Sequence, residues 1–211
     1  MKERMSMTYV PVANRMTDRS RMVAFMQQYD FATLISNGPE GIPTISYTPV
    51  MTHSHGDDIT LEFHLANVNP HNQLLQAGVS ALAIFHGPHA FISPQWYESQ
   101  HAVPTWNYAV VHASGVAMRL EGVAATMQMV NSLTEFYGEP AYDEATISHM
   151  LKGITAYRMP VTTLWGKFKL GQNRPLADRV GMRTQLAQAK RPMSRELAKL
   201  MAEFEPPAEQ S

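Results

Sequence analysis

The chain has 211 residues, 45% hydrophobic and 17% charged, with a net charge of −1 and no cysteine. This supports one large domain, or a domain with a helical appendage, and is too apolar for a disordered chain. Disulfides, thiolate metal sites and cysteine nucleophiles are excluded, which fits a reducing cytoplasm, and no global field draws nucleic acid.

Asp18 can cap a helix running to about Tyr29, with Met22, Val23, Phe25 and Met26 as its buried stripe. Phe31 to Ser36 and Ile42 to Val50 predict two strands of a hairpin around the turn cluster Asn37-Gly38-Pro39-Glu40-Gly41. His53 to Asp58 reads as a second turn. Ile59, Leu61, Phe63 and Leu65 then alternate with Thr60, Glu62 and His64, the period of a half-buried strand with His64 on its polar face. Asn69 and Pro70 read as the N-cap and first residue of a short helix ending near Gly78. Val79 to Phe85, His89 to Ser93 and Tyr108 to Leu120 predict three further strands.

A helix is expected from Val123 to Tyr137, with Val123, Met127, Val130, Leu133 and Tyr137 on one face. Asp143 to Leu151 gives another, with the stripe Ile147, Met150, Leu151 and Ile154. Ala156 to Leu170 is a long last strand. Helices from Leu176 to Ala189 and from Ser194 to Phe204 follow, and Pro206 to Ser211 is expected to be disordered. About seven antiparallel strands with two helix pairs predict a mainly β, α+β chain built on a small closed or partly closed barrel. A cofactor would sit outside it, in a groove shared with a second subunit. The expected division is a barrel domain over residues 1–190, then a C-terminal helix and tail over 191–211.

No apolar run reaches the roughly 20 residues of a membrane helix, and MKERMSMTYV lacks the apolar core of a signal peptide. Charge is uneven. Lys167 to Lys199 holds nine Lys/Arg against two Asp/Glu. Such a stretch can face a phosphate or nucleic acid, or be a solvated helical surface.

The histidines do not make a metal motif. His53 and His55 sit in the expected turn, and His86, His89, His101 and His112 are irregularly spaced. There is no GxSxG, GxGxxG or GxxxxGK[ST]. The richest stretch is Gly87 to Gly115, with two of the three tryptophans and three prolines. Its aromatic faces suit either a wall for a planar polar ligand or a subunit interface. In FHLANVNPH, His64, Asn67 and Asn69 lie between a strand and a helix start, where polar groups hold a phosphate or simply cap the helix. Gln172, Asn173 and Arg174 offer donors to a polar ring edge.

Residues Ile84 to Tyr97 (IFHGPHAFISPQWY), Val103 to Gly115 (VPTWNYAVVHASG) and Lys169 to Met182 (KLGQNRPLADRVGM) closely resemble the PaiB family. These are FMN-binding negative transcriptional regulators of the FMN-binding split-barrel fold, related to pyridoxamine phosphate oxidases. Tyr9, Pro11, FATLIS and HLANVNP are also similar to that pattern. The resemblance implies a homodimer with FMN in each interfacial cleft. Thr44, Ile45, Ser46 and Tyr47 would run beside the isoalloxazine. His64, Ala66 and Asn67 would approach the phosphate. Ile92, Ser93 and Trp96 would line the ring or ribityl chain, with Trp106 and Gln172 closing the site and Arg174 favouring negative charge at the ring edge. Asn67 stands where the family usually has arginine, so His64, Lys167 or Lys169 would have to supply charge. Gly171 replaces a usual serine. No catalytic acid or base stands out. The implied role is a flavin-responsive regulator, with DNA contacted through the basic helices; the alternative is an FMN-dependent oxidoreductase of the same fold.

Overall fold

The computed structural model describes residues 8–38, 41–99 and 103–204. The expected disordered tail, Pro39 and Glu40 of the first turn, and His101 lie outside them. Contacts divide the chain into two compact units, Asp18–His86 with Val111–Leu164, and Met1–Thr17 with Gly87–Val110 and Trp165–Ser211.

Among the described residues, nine strands make an antiparallel sheet that does not close, accompanied by six α-helices. The strands are β1 (Arg15–Met16), β2 (Phe31–Asn37), β3 (Pro43–Pro49), β4 (Met51–His55), β5 (Asp58–Ala66), β6 (Ser80–Ile92), β7 (Thr105–Val116), β8 (Met118–Arg119) and β9 (Ile154–Lys169). Their order is β3-β2-β6-β7-β9-β5-β4, with β1 and β8 both on β9.

In the first unit, α1 (Arg19–Gln28) starts where the Asp18 carboxylate accepts the Arg21 amide, and it buries the expected stripe of Met22, Val23, Phe25 and Met26. The β2–β3 hairpin pairs Phe31 with Pro49 and Asn37 with Pro43. Ala32 and Leu34 on β2, Leu61, Phe63 and Leu65 on β5, and Tyr157 and Met159 on β9 form the core. Each large side chain buried there contributes about 1.5–3 kcal/mol. Phe63 and Tyr157 stack at 5.5 Å. Gly115 is required by close packing, because a Cβ there would lie 2.1 Å from the Pro160 carbonyl oxygen. A satellite cluster of Met51, Met129, Leu133 and Ala156 lies under α3 (Val123–Phe136), and Asp143 caps α4 (Glu144–Leu151).

Several sequence expectations are corrected. His53 and His55 lie on strand β4, not in a turn, because their segment pairs with Asp58 to Glu62. Glu62 is buried rather than on a polar face. The segments Val79 to Phe85 and His89 to Ser93 are one continuous strand, β6, running through Gly87 and Pro88. Proline fits an extended backbone and only removes a donor. The strand expected at Tyr108 to Leu120 starts at Thr105 and breaks at Ala117. Helix α3 buries Thr126, Met129 and Leu133 and leaves Val123 and Tyr137 exposed. Its methionines lie on two sides, so periodicity alone could not choose the inward face. Met150 on α4 is likewise exposed while Ile147 and Leu151 are buried.

In the second unit, a 3-10 turn (Pro94–Trp96) precedes β7, and α5 (Leu176–Ala187) and α6 (Pro192–Glu203) form a helical pair. Met182, Leu186, Leu197, Leu200 and Met201 are buried. Gly181 lets α5 approach the 3-10 turn, since a Cβ there would lie 2.3 Å from the Trp96 carbonyl oxygen.

Candidate functional site

The first unit brings together the end of β5, the start of helix α2 (His71–Gln76) and strand β3. Asn69 is the side-chain cap, one residue outside the expected arrangement. Its Oδ1 accepts the His71 amide at 2.9 Å, and Pro70 is the N-cap by backbone position. Asn69 Nδ2 donates to Ser46 Oγ at 3.0 Å, and Ser46 Oγ lies 3.0 Å from His71 Nδ1. The other ring nitrogen, Nε2, is buried without a partner. Burial lowers the His71 pKa and so disfavours the charged ring. Sequence reading missed His71, whose only signal was its place right after Asn69-Pro70.

The other residues of this set differ in what they offer. Ser46 is buried, Thr44 partly so, and Ile45 and Tyr47 are exposed, Tyr47 at 66%. Among the described residues β3 pairs only with β2, so its outward amides and carbonyls have no sheet partner. His64 Nδ1 is buried without a partner, and burial lowers the His64 pKa. Its backbone carbonyl accepts from Thr48 Oγ1 at 3.1 Å. Ala66 gives its carbonyl to Asn72 Nδ2 at 2.8 Å, and Asn72 Oδ1 accepts from the Tyr157 hydroxyl at 2.7 Å. The Asn67 carboxamide is engaged at both ends. Nδ2 donates to the Lys152 carbonyl at 2.6 Å, and Oδ1 accepts from Thr155 Oγ1 at 2.7 Å.

The remaining candidates belong to the second unit. Ile92 is fully buried. Ser93 Oγ accepts the Gln95 amide at 3.3 Å and so caps the 3-10 turn that carries Trp96. Trp106 is 49% exposed, with Phe91 edge-on at 6.2 Å and the His89 ring also at 6.2 Å. Gln172 folds back on its own chain, donating to the Phe168 carbonyl and accepting the Leu170 amide. The Arg174 guanidinium lies 5.0 Å from the Tyr97 ring centre. Lys167 donates to the Tyr9 carbonyl at 3.0 Å and sits over the Tyr9 and Tyr108 rings, while Lys169 donates to Thr105 Oγ1. Both lysines considered as replacements for the missing arginine are thus held by neighbours in their own unit.

A flavin needs a row of in-plane partners for its pyrimidine edge, flat contact for its rings and donors for its phosphate. The open edge of β3 and the exposed Tyr47 ring fit the first two needs. For the phosphate, the His64–Asn67 segment supplies no fixed positive charge: burial lowers the His64 pKa, and the Asn67 amide and carboxamide already donate to the Gly153 and Lys152 carbonyls.

The sheet defines a protein of the split-barrel class. Two solved structures share this fold. One is the FAD and heme binding protein from Mycobacterium smegmatis, 15% identical, covering 79% of this chain and 78% of that one, with a TM-score of 0.59. The other is the conserved hypothetical protein Rv2991 from Mycobacterium tuberculosis, 16% identical, covering 80% and 94%, with a TM-score of 0.56. Residues 8–163 match the family described as "Putative FMN-binding domain". The Protease synthase and sporulation protein PAI 2 of Bacillus subtilis (strain 168) is 29% identical over 200 residues, covering 92% of this chain and 96% of its own. The chain belongs to the "Putative FMN-binding domain" family. Among the described residues no helix is long and apolar enough to cross a membrane.

Proposed function

We propose that this chain is a cytoplasmic, homodimeric PaiB-like regulator that binds FMN. The observation that carries the flavin reading is the open edge of β3 at Thr44–Tyr47, next to the Ser46–Asn69–His71 network. The backbone of Thr44 and Ser46 orients the ring edge, and Tyr47 covers one face. His64 and Ala66 approach the phosphate on a segment that Asn67 holds in place, and the second unit offers Ile92, Ser93, Trp96, Trp106, Gln172 and Arg174 to the ring or the ribityl chain. Bound FMN supplies a centre that accepts or releases a hydride or single electrons. The protein's part is to hold it and to exclude water. The regulatory reading rests on the family and on the basic segment of α5 and α6, where Lys190 and Arg191 between the two helices and Lys199 on α6 are exposed.

The test uses the purified full chain. Titration with FMN and FAD, followed by flavin fluorescence, is expected to saturate with FMN at about one per chain and to favour FMN. Failure of FMN to saturate overturns the reading. A gel-shift titration is expected to show DNA affinity that falls steeply with salt, and its absence removes the direct-repressor role. Steady turnover of NADH or NADPH with an acceptor moves the chain to the oxidoreductase class instead. Sedimentation reads the dimer.

A further inference from the structure

We propose that the cavity between helix α3 and strands β4, β5 and β9 is a second ligand site, selective for a small carboxylate with an apolar body. None of the residues assigned above to the flavin lines it. Its volume is about 420 Å³, within the range of small-molecule pockets.

Three adjacent strands build its charged wall. Glu62 and Arg158 are direct cross-strand partners on β5 and β9, and His53 reaches in from β4. The Glu62 side chain is only 10% exposed. Its Oε1 accepts from Arg158 Nε and Nη2, each at 2.8 Å, and its Oε2 lies 3.3 Å from His53 Nε2. A carboxylate this buried is costly unless paired, and here both oxygens are taken. It therefore acts as a positioning group that pins a guanidinium and an imidazole.

The pinned groups are not themselves covered. The Arg158 side chain is 54% exposed and that of His53 52%. Arg158 keeps Nη1 for a further acceptor, since the guanidinium has five N–H donors and Glu62 takes only those of Nε and Nη2. On the opposite wall α3 presents Gln128 and Ser132, and Met129 and Leu120 give an apolar floor. Charge decides the ligand sign. Glu62 is neutralised by Arg158 and screened by it, so an incoming cation meets the guanidinium first. An incoming carboxylate meets free N–H groups and accepts charge-assisted hydrogen bonds.

Benzoate, benzamide and benzamidine share one shape and differ in charge, so they separate these cases. Each is titrated into the full chain while backbone amide NMR shifts are followed. Benzoate is expected to give saturable shifts centred on Thr60, Gln128 and Ser132, with affinity at least about tenfold above either analogue. Arg158→Met should weaken benzoate at least about tenfold. Ser132→Phe fills the cavity but keeps the Glu62–Arg158 pair, and should abolish the shifts even if Arg158→Met fails to fold. No saturable benzoate response, equal binding of benzamidine, or full binding by Ser132→Phe overturns the proposal.

Discussion

The Thr155 hydroxyl donates to Asn67 Oδ1 at 2.7 Å, joining the end of β5 to the start of β9. The Asn67 backbone amide adds a bond to the Gly153 carbonyl at 2.9 Å. Asn67 is therefore a clasp between segments 88 positions apart, and arginine could not reproduce its paired donor and acceptor.

Asn67→Ala should lower stability by about 1–2 kcal/mol, the cost of two lost side-chain hydrogen bonds in a partly covered site. FMN affinity should change less than about tenfold, because a neutral amide already in use adds little to phosphate binding. Urea unfolding and FMN titration check both halves. An unchanged unfolding midpoint with sharply weaker FMN binding would make Asn67 a phosphate ligand instead.

Trp106 presents half its surface beside Phe91 and His89. Because so much of the ring is exposed, Trp106→Ala should cost little stability, about 1 kcal/mol or less, and leave the oligomeric state unchanged. Its flat face is the asset, so flavin should be lost about tenfold faster on dilution. Stopped dilution followed by flavin fluorescence measures this. Equal retention would make Trp106 a surface packing residue and remove it from the cleft.

The hairpin β2–β3, the alternation in β5 and the stripe of α1 were legible because each is decided by neighbours within one turn or one strand. Glu62 was not, since its counter-charge Arg158 lies 96 positions away and local pattern places a glutamate on the wet face. His71 was hidden for the same reason. Its partner Ser46 is 25 positions earlier, and nothing in NPHNQ marks the ring as buried. The continuity of β6 was obscured by Gly87-Pro88, which reads as a turn until the rest of the sheet holds it straight. In the candidate flavin site the residue types were legible but not their engagement. Gln172 and Lys169 look like free donors in sequence, yet both are tied within their own unit.

Asp178 ties the start of α5 to the Glu98–Ser99 segment. It is fully buried at the start of α5 and accepts the Glu98 amide at 2.9 Å, the Ser99 amide at 2.9 Å and the Ser99 hydroxyl at 2.7 Å. Burial alone would raise its pKa. The Ser99 and Glu98 donors, with Arg174 nearby, outweigh burial and hold it below the usual carboxylate value of 3.8. A carboxyl whose pKa is lower in the folded state stabilises the fold at pH above its unfolded value. That stability is lost as pH falls through the folded value. Asp178→Asn should therefore be less stable than the parent chain at neutral pH, and the gap should narrow below about pH 4 as the parent carboxyl is protonated. Ser99→Ala removes one of the three donors, so the variant should lose this stability at a higher pH than the parent. Thermal unfolding across pH 2–8 checks the sign, and a gap that stays constant through the acid range would show that the Asp178 charge plays no part in holding the segment.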